Sequence, residues 1–150
     1  MKGLEDIVSR LDMRNIGVES ITFRRDPLLY FSGETEVKLA VQYQPPDESP
    51  SMDEYVVRMR LRLVGETGGQ QVLYLEIILI ASFVIHEPDP EVFEILFRRN
   101  TLALMMPYMR AEVTQITAQP GMAPIVLPAI DINKFVDNLV IENNSDSNSY

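Results

Sequence analysis

Val37, Leu39, Val41 and Tyr43 alternate with Glu36, Lys38, Ala40 and Gln42. That two-residue period predicts a half-buried strand. Tyr55, Val57, Met59, Leu61 and Leu63 repeat it against Val56, Arg58, Arg60, Arg62 and Val64. Gly65 to Gly69 predicts a hairpin turn, and Val72 to Ile85 a long, nearly continuous apolar strand. Upstream, Ile16 to Arg25 reads as extended. Ile16 and Val18 share one phase there, and Ile21 and Phe23 share the other. A pleat cannot change phase without an extra residue, so a bulge is predicted near Ser20. Leu4, Ile7, Val8 and Leu11 have helical spacing and predict a short helix over about 4–13.

After His86-Glu87-Pro88-Asp89-Pro90 the period becomes helical. Asp89 suits a cap and Pro90 a first helical residue. Val92, Ile95 and Leu96 form a short apolar stripe. From Asn100 to about Gln119, Leu102, Met105, Met109, Val113 and Ile116 recur at three- and four-residue steps. Pro107 falls inside this segment and is expected to kink or restart it, because proline lacks the N–H and crowds the preceding turn. Pro120 to Pro128 reads as a proline-rich apolar loop. Asp131 caps a last predicted helix with Ile132, Phe135, Val136, Leu139 and Val140 on one face. The fold class expected is therefore α+β: a four-stranded antiparallel sheet, a kinked long helix and a C-terminal helix. One domain over 1–141 and a polar tail over 142–150 account for all 150 residues.

The fourth strand changes this picture. Leu73, Leu75, Ile77 and Leu79 occupy one side, and Tyr74, Ile78 and Ile80 the other, broken by Glu76. A sheet covered by helices on one side leaves the other wet, so this strand predicts oligomerisation or ligand contact on its second face.

Charge and composition then narrow the chemistry. Thirteen Lys and Arg against 22 Asp and Glu give a net charge of −9, which disfavours sequence-independent nucleic-acid or anionic-lipid binding. There is no cysteine and one histidine, so cysteine zinc sites, Fe–S clusters and multi-histidine metal sites within one protomer are excluded. No cofactor, metal or catalytic residue is assigned. The start lacks a signal-peptide pattern, and the longest strongly apolar stretch, 77–85, is too short to span a bilayer. A cytoplasmic protein without membrane insertion is expected. His86, beside Glu87 and Asp89, lacks the elbow of a serine hydrolase and reads as a surface histidine in a capping loop. Arg58, Arg60 and Arg62 share one strand face. They form either an anion or nucleic-acid stripe or, as expected here, cross-strand pairs with Glu19, Glu36 and Glu76. Met105, Met106, Met109 and Met122 are either core filler or the lining of an adaptable groove. Met109 fits the core, while Met106 falls off the Met105–Met109 stripe and Met122 lies in a loop, so those two suit a groove better.

Met105-Met106-Pro107-Tyr108-Met109-Arg110-Ala111 resembles the Leu-Phe-Pro-Tyr-Ala-Arg-Glu stretch of the SecB family of export chaperones, with proline, tyrosine and arginine in register. Gly121-Met122-Ala123-Pro124-Ile125-Val126-Leu127-Pro128-Ala129-Ile130-Asp131-Ile132 resembles the family's Gly-Phe-Pro-Pro-Leu-x-Leu-Pro-Pro-Ile-Asn-Phe loop, and Phe83 matches the phenylalanine ending its fourth strand. The resemblance covers about 16–136 and is specific over 105–132. Ala111 replaces the family's glutamate, Thr101-Leu102 its Cys-Pro pair, and Arg24 an acid of the first strand.

The resemblance implies a homotetramer, a dimer of dimers with helices between two sheets, that holds unfolded preproteins for Sec-dependent export without ATP. It implies a client-binding groove, placed here at Phe83, Met105, Met106, Tyr108, Met122 and Ile125. It also implies contact with the SecA ATPase through Glu19 and Glu76, weakened by Arg24. Some relatives serve toxin–antitoxin systems, so an antitoxin is the alternative partner. Two other classes remain open: a thioesterase-like enzyme using Glu87 or Asp89, and a structural assembly subunit. Hot-dog thioesterases place their central helix between strands, whereas here the long helices follow them.

Overall fold

The computed structural model describes residues 11–27, 35–44, 54–85, 90–128 and 140–141. Five strands and one helix are built from them: β1 Leu11–Arg25, β2 Thr35–Gln44, β3 Glu54–Thr67, β4 Gln70–Ile85, α1 Pro90–Thr117 and β5 Val140–Ile141. The sheet order is β1-β4-β3-β2-β5. β1 to β4 are antiparallel, and the two-residue β5 adds a parallel pair at the β2 edge.

β4 is thus a central strand, paired with both β1 and β3. This explains its double apolar character: both its edges are covered, and it supplies the middle of the core. Leu73, Leu75, Ile77, Leu79, Ala81 and Phe83 are buried on the face that α1 covers. Ile78 and Ile80 on the other face stand directly opposite Arg60 and Arg58. Arginine stems can lie along such residues while their guanidinium heads stay wet.

The predicted bulge is present. The β1–β4 register slips between Val18 and Ser20, and again between Met13 and Asn15. The first slip brings Ile16, Val18, Ile21 and Phe23, which lie in two phases of the sequence, opposite Ala81, Leu79, Ile77 and Leu75, all on the helix side. The helix expected over 4–13 is corrected at its end: residues 11–13 are strand, paired with Ile85, Val84 and Phe83. Cross-strand pairing there overrides a weak helical pattern. Residues 4–10 lie outside the described ones. The hairpin between β3 and β4 narrows to Gly68 and Gly69, at φ 59° and 77°. Two consecutive left-handed residues make the turn whose twist matches the strands, and glycine adopts them without strain.

α1 starts at Pro90 as expected and continues through Pro107 to Thr117 without restarting. Proline removes one helical hydrogen bond, here to the carbonyl of Ala103. Both Pro107 and Ala103 are exposed, so water can reach the freed group. Phe97, Leu102, Met105, Met109 and Val113 are buried against the sheet. Phe97 ends the core in an aromatic cluster, 5.4 Å from Tyr43, 5.0 Å from Tyr55 and 6.3 Å from Phe83 between ring centroids. The stripe Val92, Ile95 and Leu96 falls within α1 but its side chains lie outside the described residues. Of the last predicted helix, Val140 is instead in a strand, paired with Ala40. Residues 129–139 and the tail 142–150 lie outside the described ones.

Burial raises the Tyr43 hydroxyl above its ordinary value, with Thr101 and Arg98 opposing. Burial penalises the phenolate and leaves the neutral phenol as it is, so the folded state keeps its stability below pH ~10 and loses it as pH rises through the folded value. A Tyr43→Phe variant should therefore remove a tyrosine that ionises above the ordinary range in an alkaline absorbance titration. Loss of absorbance change only near the ordinary tyrosine range, at pH ~10, would show that Tyr43 is as accessible as a free tyrosine.

Candidate docking surface

The loop 120–128 runs back along one flank of α1, and helix side chains fasten its backbone. Arg110 donates from Nε to the carbonyl of Leu127 at 3.2 Å, and Thr114 from Oγ1 to the carbonyl of Ile125 at 3.0 Å. Thr117 donates to the carbonyl of Val113 at 2.7 Å and accepts from the amide of Ile125 at 2.8 Å, so this buried hydroxyl is satisfied twice. At the loop's start, the Arg25 guanidinium donates to the carbonyls of Pro120 and Gly121 at 3.0 and 3.2 Å. Gly121 has φ 77°, and a Cβ there would meet that guanidinium at 3.7 Å. The contact is ordinary, but the conformation would strain any other residue.

These bonds hold the backbone down and leave apolar side chains up. Leu127 is buried and anchors the loop, while Met122 and Ile125 are half-buried against the core. Val126 is 69% exposed, and Ala123 and Pro124 are exposed beside it. Proline limits the loop's freedom before anything binds, which lowers the ordering cost of docking. Sequence reasoning missed Thr114, Thr117 and Val126. Thr114 and Thr117 carry a signal only once the loop is known to return along their flank of the helix.

The six residues expected to line a groove divide into three groups. Phe83, Met105 and Met106 are buried in the core, behind the surface. Met122 and Ile125 lie together in the loop. Tyr108 is 47% exposed but sits on a different flank of α1 from Arg110, Thr114 and Thr117, because helix faces repeat at three- and four-residue steps. Its flank mates at that spacing are Leu104, 36% exposed, and the exposed Ala111.

Apolar exposure is one-sided. Val18, Ile21 and Val37 are each 43% exposed, and all three point to the helix side, opposite Leu79, Ile77 and Leu63. With Leu104, Tyr108 and Val126, every large exposed hydrophobic among the described residues is on the helix side or in its loop. α1 alone does not cover that layer.

The outer side is charged. Glu19, at the β1 bulge, is tied to Arg58 at 3.0 Å, as the sequence pairing predicted. Glu76 stands opposite Arg62 and accepts a 3.4 Å hydrogen bond from the Tyr74 hydroxyl. Glu36 departs from expectation: its partner is Lys38 of its own strand, at 3.7 Å, and not an arginine. His86, Glu87 and Asp89, the residues of the enzyme alternative, lie outside the described ones. Among the described residues there is no cluster of three metal-ligand side chains, and no helix is long and apolar enough to cross a membrane.

No protein-family model matches the chain. It is 27% identical over 117 residues to the protein-export protein SecB 1 of Gluconobacter oxydans (strain 621H). That alignment covers 78% of this chain and 58% of the relative. Among solved structures, the chain is similar to a Mycobacterium tuberculosis SecB-like chaperone in complex with a ChAD peptide from an antitoxin. The TM-score is 0.61 at 20% identity, covering 83% of this chain and 94% of that one. A Streptococcus agalactiae protein of unknown function gives a TM-score of 0.43 at 14% identity, covering 79% and 97% of the two chains.

Proposed function

We propose that this chain, which is similar to SecB and to a SecB-like chaperone, is an ATP-independent holdase that binds unfolded preproteins for Sec-dependent export. The observation that carries this reading is the loop 120–128. Its backbone is hydrogen-bonded to α1 and Arg25, while Met122, Ile125 and Val126 are left to receive apolar side chains. Phe83, Met105 and Met106 form the support behind this surface. Tyr108 extends it on another flank of α1. Methionine suits such a role because it repacks against many shapes. Binding of this kind requires no reactive group.

The assembly that fits is a homotetramer, a dimer of dimers with the helices between two sheets. The exposed Val18, Ile21, Leu104 and Tyr108 on the helix side support it. The test of function is suppression of aggregation of a chemically unfolded protein, without nucleotide, at near-stoichiometric chaperone. No suppression at tenfold excess of tetramer would reject the holdase reading.

Service to a toxin–antitoxin pair is the second reading, and the state of Glu19 and Glu76 favours it. The first is committed to Arg58, and the second is flanked by Arg62 and by the Arg24–Tyr74 contact. A partner that reads acids there meets neutralised ones. SecA binding should therefore be weak, should fall further in Glu76→Arg, and should vanish as salt shortens the screening length below ~8 Å. Tight binding that survives both changes would contradict this. An antitoxin segment would then be the client of the same groove.

A further inference from the structure

The loop 120–128 is fastened in two different ways. Its later half is held by α1, where Arg110, Thr114 and Thr117 bond the backbone of Leu127 and Ile125 in partly buried positions. Its entry is held from another element. Arg25, the last residue of β1, donates from Nη1 to the carbonyl of Pro120 and from Nη2 to that of Gly121, and both bonds are exposed. Gly121 joins the two peptide planes that carry these carbonyls, so its φ of 77° sets the angle at which they face one guanidinium.

The strand aims Arg25 at the loop. Successive residues of β1 point to opposite faces, so two adjacent arginines part company. Arg24 turns to the outer face, where it and Arg62 share the Tyr74 ring, with guanidinium carbons 5.4 and 5.6 Å from its centroid. Arg25 turns to the helix side, opposite Leu73. The other β1 residues paired on that side, from Leu11 to Phe23, are apolar. The next amide, that of Asp26, donates to the carbonyl of Val72 at 2.9 Å and fixes the base of the arginine on β4. The anchor is therefore rigid, while its grip is exchangeable. Water competes for an exposed hydrogen bond, so the entry opens more readily than the shielded half over 125–127. Met122 is the side chain this governs. It follows Gly121 directly, is half-buried against the core, and donates its amide to the carbonyl of Gln119 at 3.1 Å.

We propose that Arg25 is a positioning residue for the client loop: its guanidinium latches the loop's entry, and the latched fraction sets how often Met122 is presented to a client. This role rests on the reading of the loop as the client surface. A surface correctly arranged for only part of the time binds more weakly by that fraction. Arg25 acts through the loop backbone, without touching the client.

Two measurements on the full-length protein test it. One is hydrogen exchange at the Met122 amide without client. The other is binding of fluorescent, reduced and carboxymethylated lysozyme, a probe that cannot refold. In Arg25→Ala, Met122 should exchange faster while β4 and α1 keep their protection, and probe affinity should fall about three- to tenfold. Arg25→Lys, which offers an ammonium in place of the forked donors, should fall between parent and Arg25→Ala. Gly121→Ala, strained at its positive φ, should act in the same direction. Combined with Arg25→Ala it should give less than the sum of the two effects, because both disturb one carbonyl pair. Arg24→Ala should leave Met122 exchange unchanged. Should Arg25→Ala lose protection throughout the sheet, Arg25→Lys and Gly121→Ala carry the same two readouts. Unchanged Met122 exchange would overturn the latch, and faster exchange with undiminished probe affinity would overturn its positioning role. A parent that binds no probe would instead reject the holdase reading, with exchange still deciding the latch.

Discussion

Changing Leu104 and Tyr108 together to aspartate should reduce the proposed homotetramer to a smaller, folded species. Both side chains are already exposed, at 36% and 47%, so their replacement leaves no cavity and buries no charge within the protomer. Thr101, Met105 and Met109, on the sheet side of the same helix, are untouched and keep α1 in place. In an assembly the effect multiplies. A twofold contact presents each residue from both copies, so two substitutions per chain place four carboxylates in one interface. Burying an apolar side chain of this size is worth roughly 1.5–3 kcal/mol, and uncompensated charge adds to the loss. Several kcal/mol in total shifts the dissociation constant by orders of magnitude. Light scattering and circular dichroism read the two expectations together: lower mass and an unchanged spectrum. A parent that is monomeric at micromolar concentration would reject the proposed assembly, and a variant that keeps the parent's mass would place the interface elsewhere.

Loss of client holding should follow Met122→Asp with Val126→Asp, and not a change at Met106. Met106 and Met105 are buried against the sheet, where an unpaired carboxylate costs several kcal/mol. Met106→Asp should therefore unfold the protein and say nothing about a groove. Val126 is 69% exposed and Met122 half-buried, and neither supplies the backbone bonds that Arg110, Thr114 and Thr117 make to the loop. The double variant should keep its fold and its oligomer mass. Two lost apolar contacts at roughly 1.5–3 kcal/mol each weaken client affinity by a hundredfold or more. The readout is aggregation of an unfolded client at equal chaperone concentration. Full protection by the intact double variant would remove the loop from the client surface.

Composition and pattern carried a long way here. Alternation over 37–43 and 55–64 identified β2 and β3, because a half-exposed strand must alternate and its period is set by the pleat. The phase slip at Ser20 announced the bulge, and Pro90 the helix start. The Pro107-Tyr108-x-Arg110 stretch and the Gly121–Pro128 loop carried the likeness to SecB-like proteins, and the fold gives that pairing a cause: Arg110 holds the loop at Leu127. Motif and loop are one structural unit.

What the chain alone determined, then, was the four long strands, the long helix, the class and the charge. What the tertiary structure decided was sides. No one-dimensional pattern shows that Met106 is buried, that Tyr108 lies on a different flank from Met122, or that Arg24 comes to share a ring with Arg62. Each depends on strand order and on where α1 crosses the sheet. The period of a strand or helix is local, fixed by backbone geometry and readable along the chain. Which neighbour a face meets is fixed by contacts between residues far apart in sequence, and these form only when the sheet closes in the order β1-β4-β3-β2-β5.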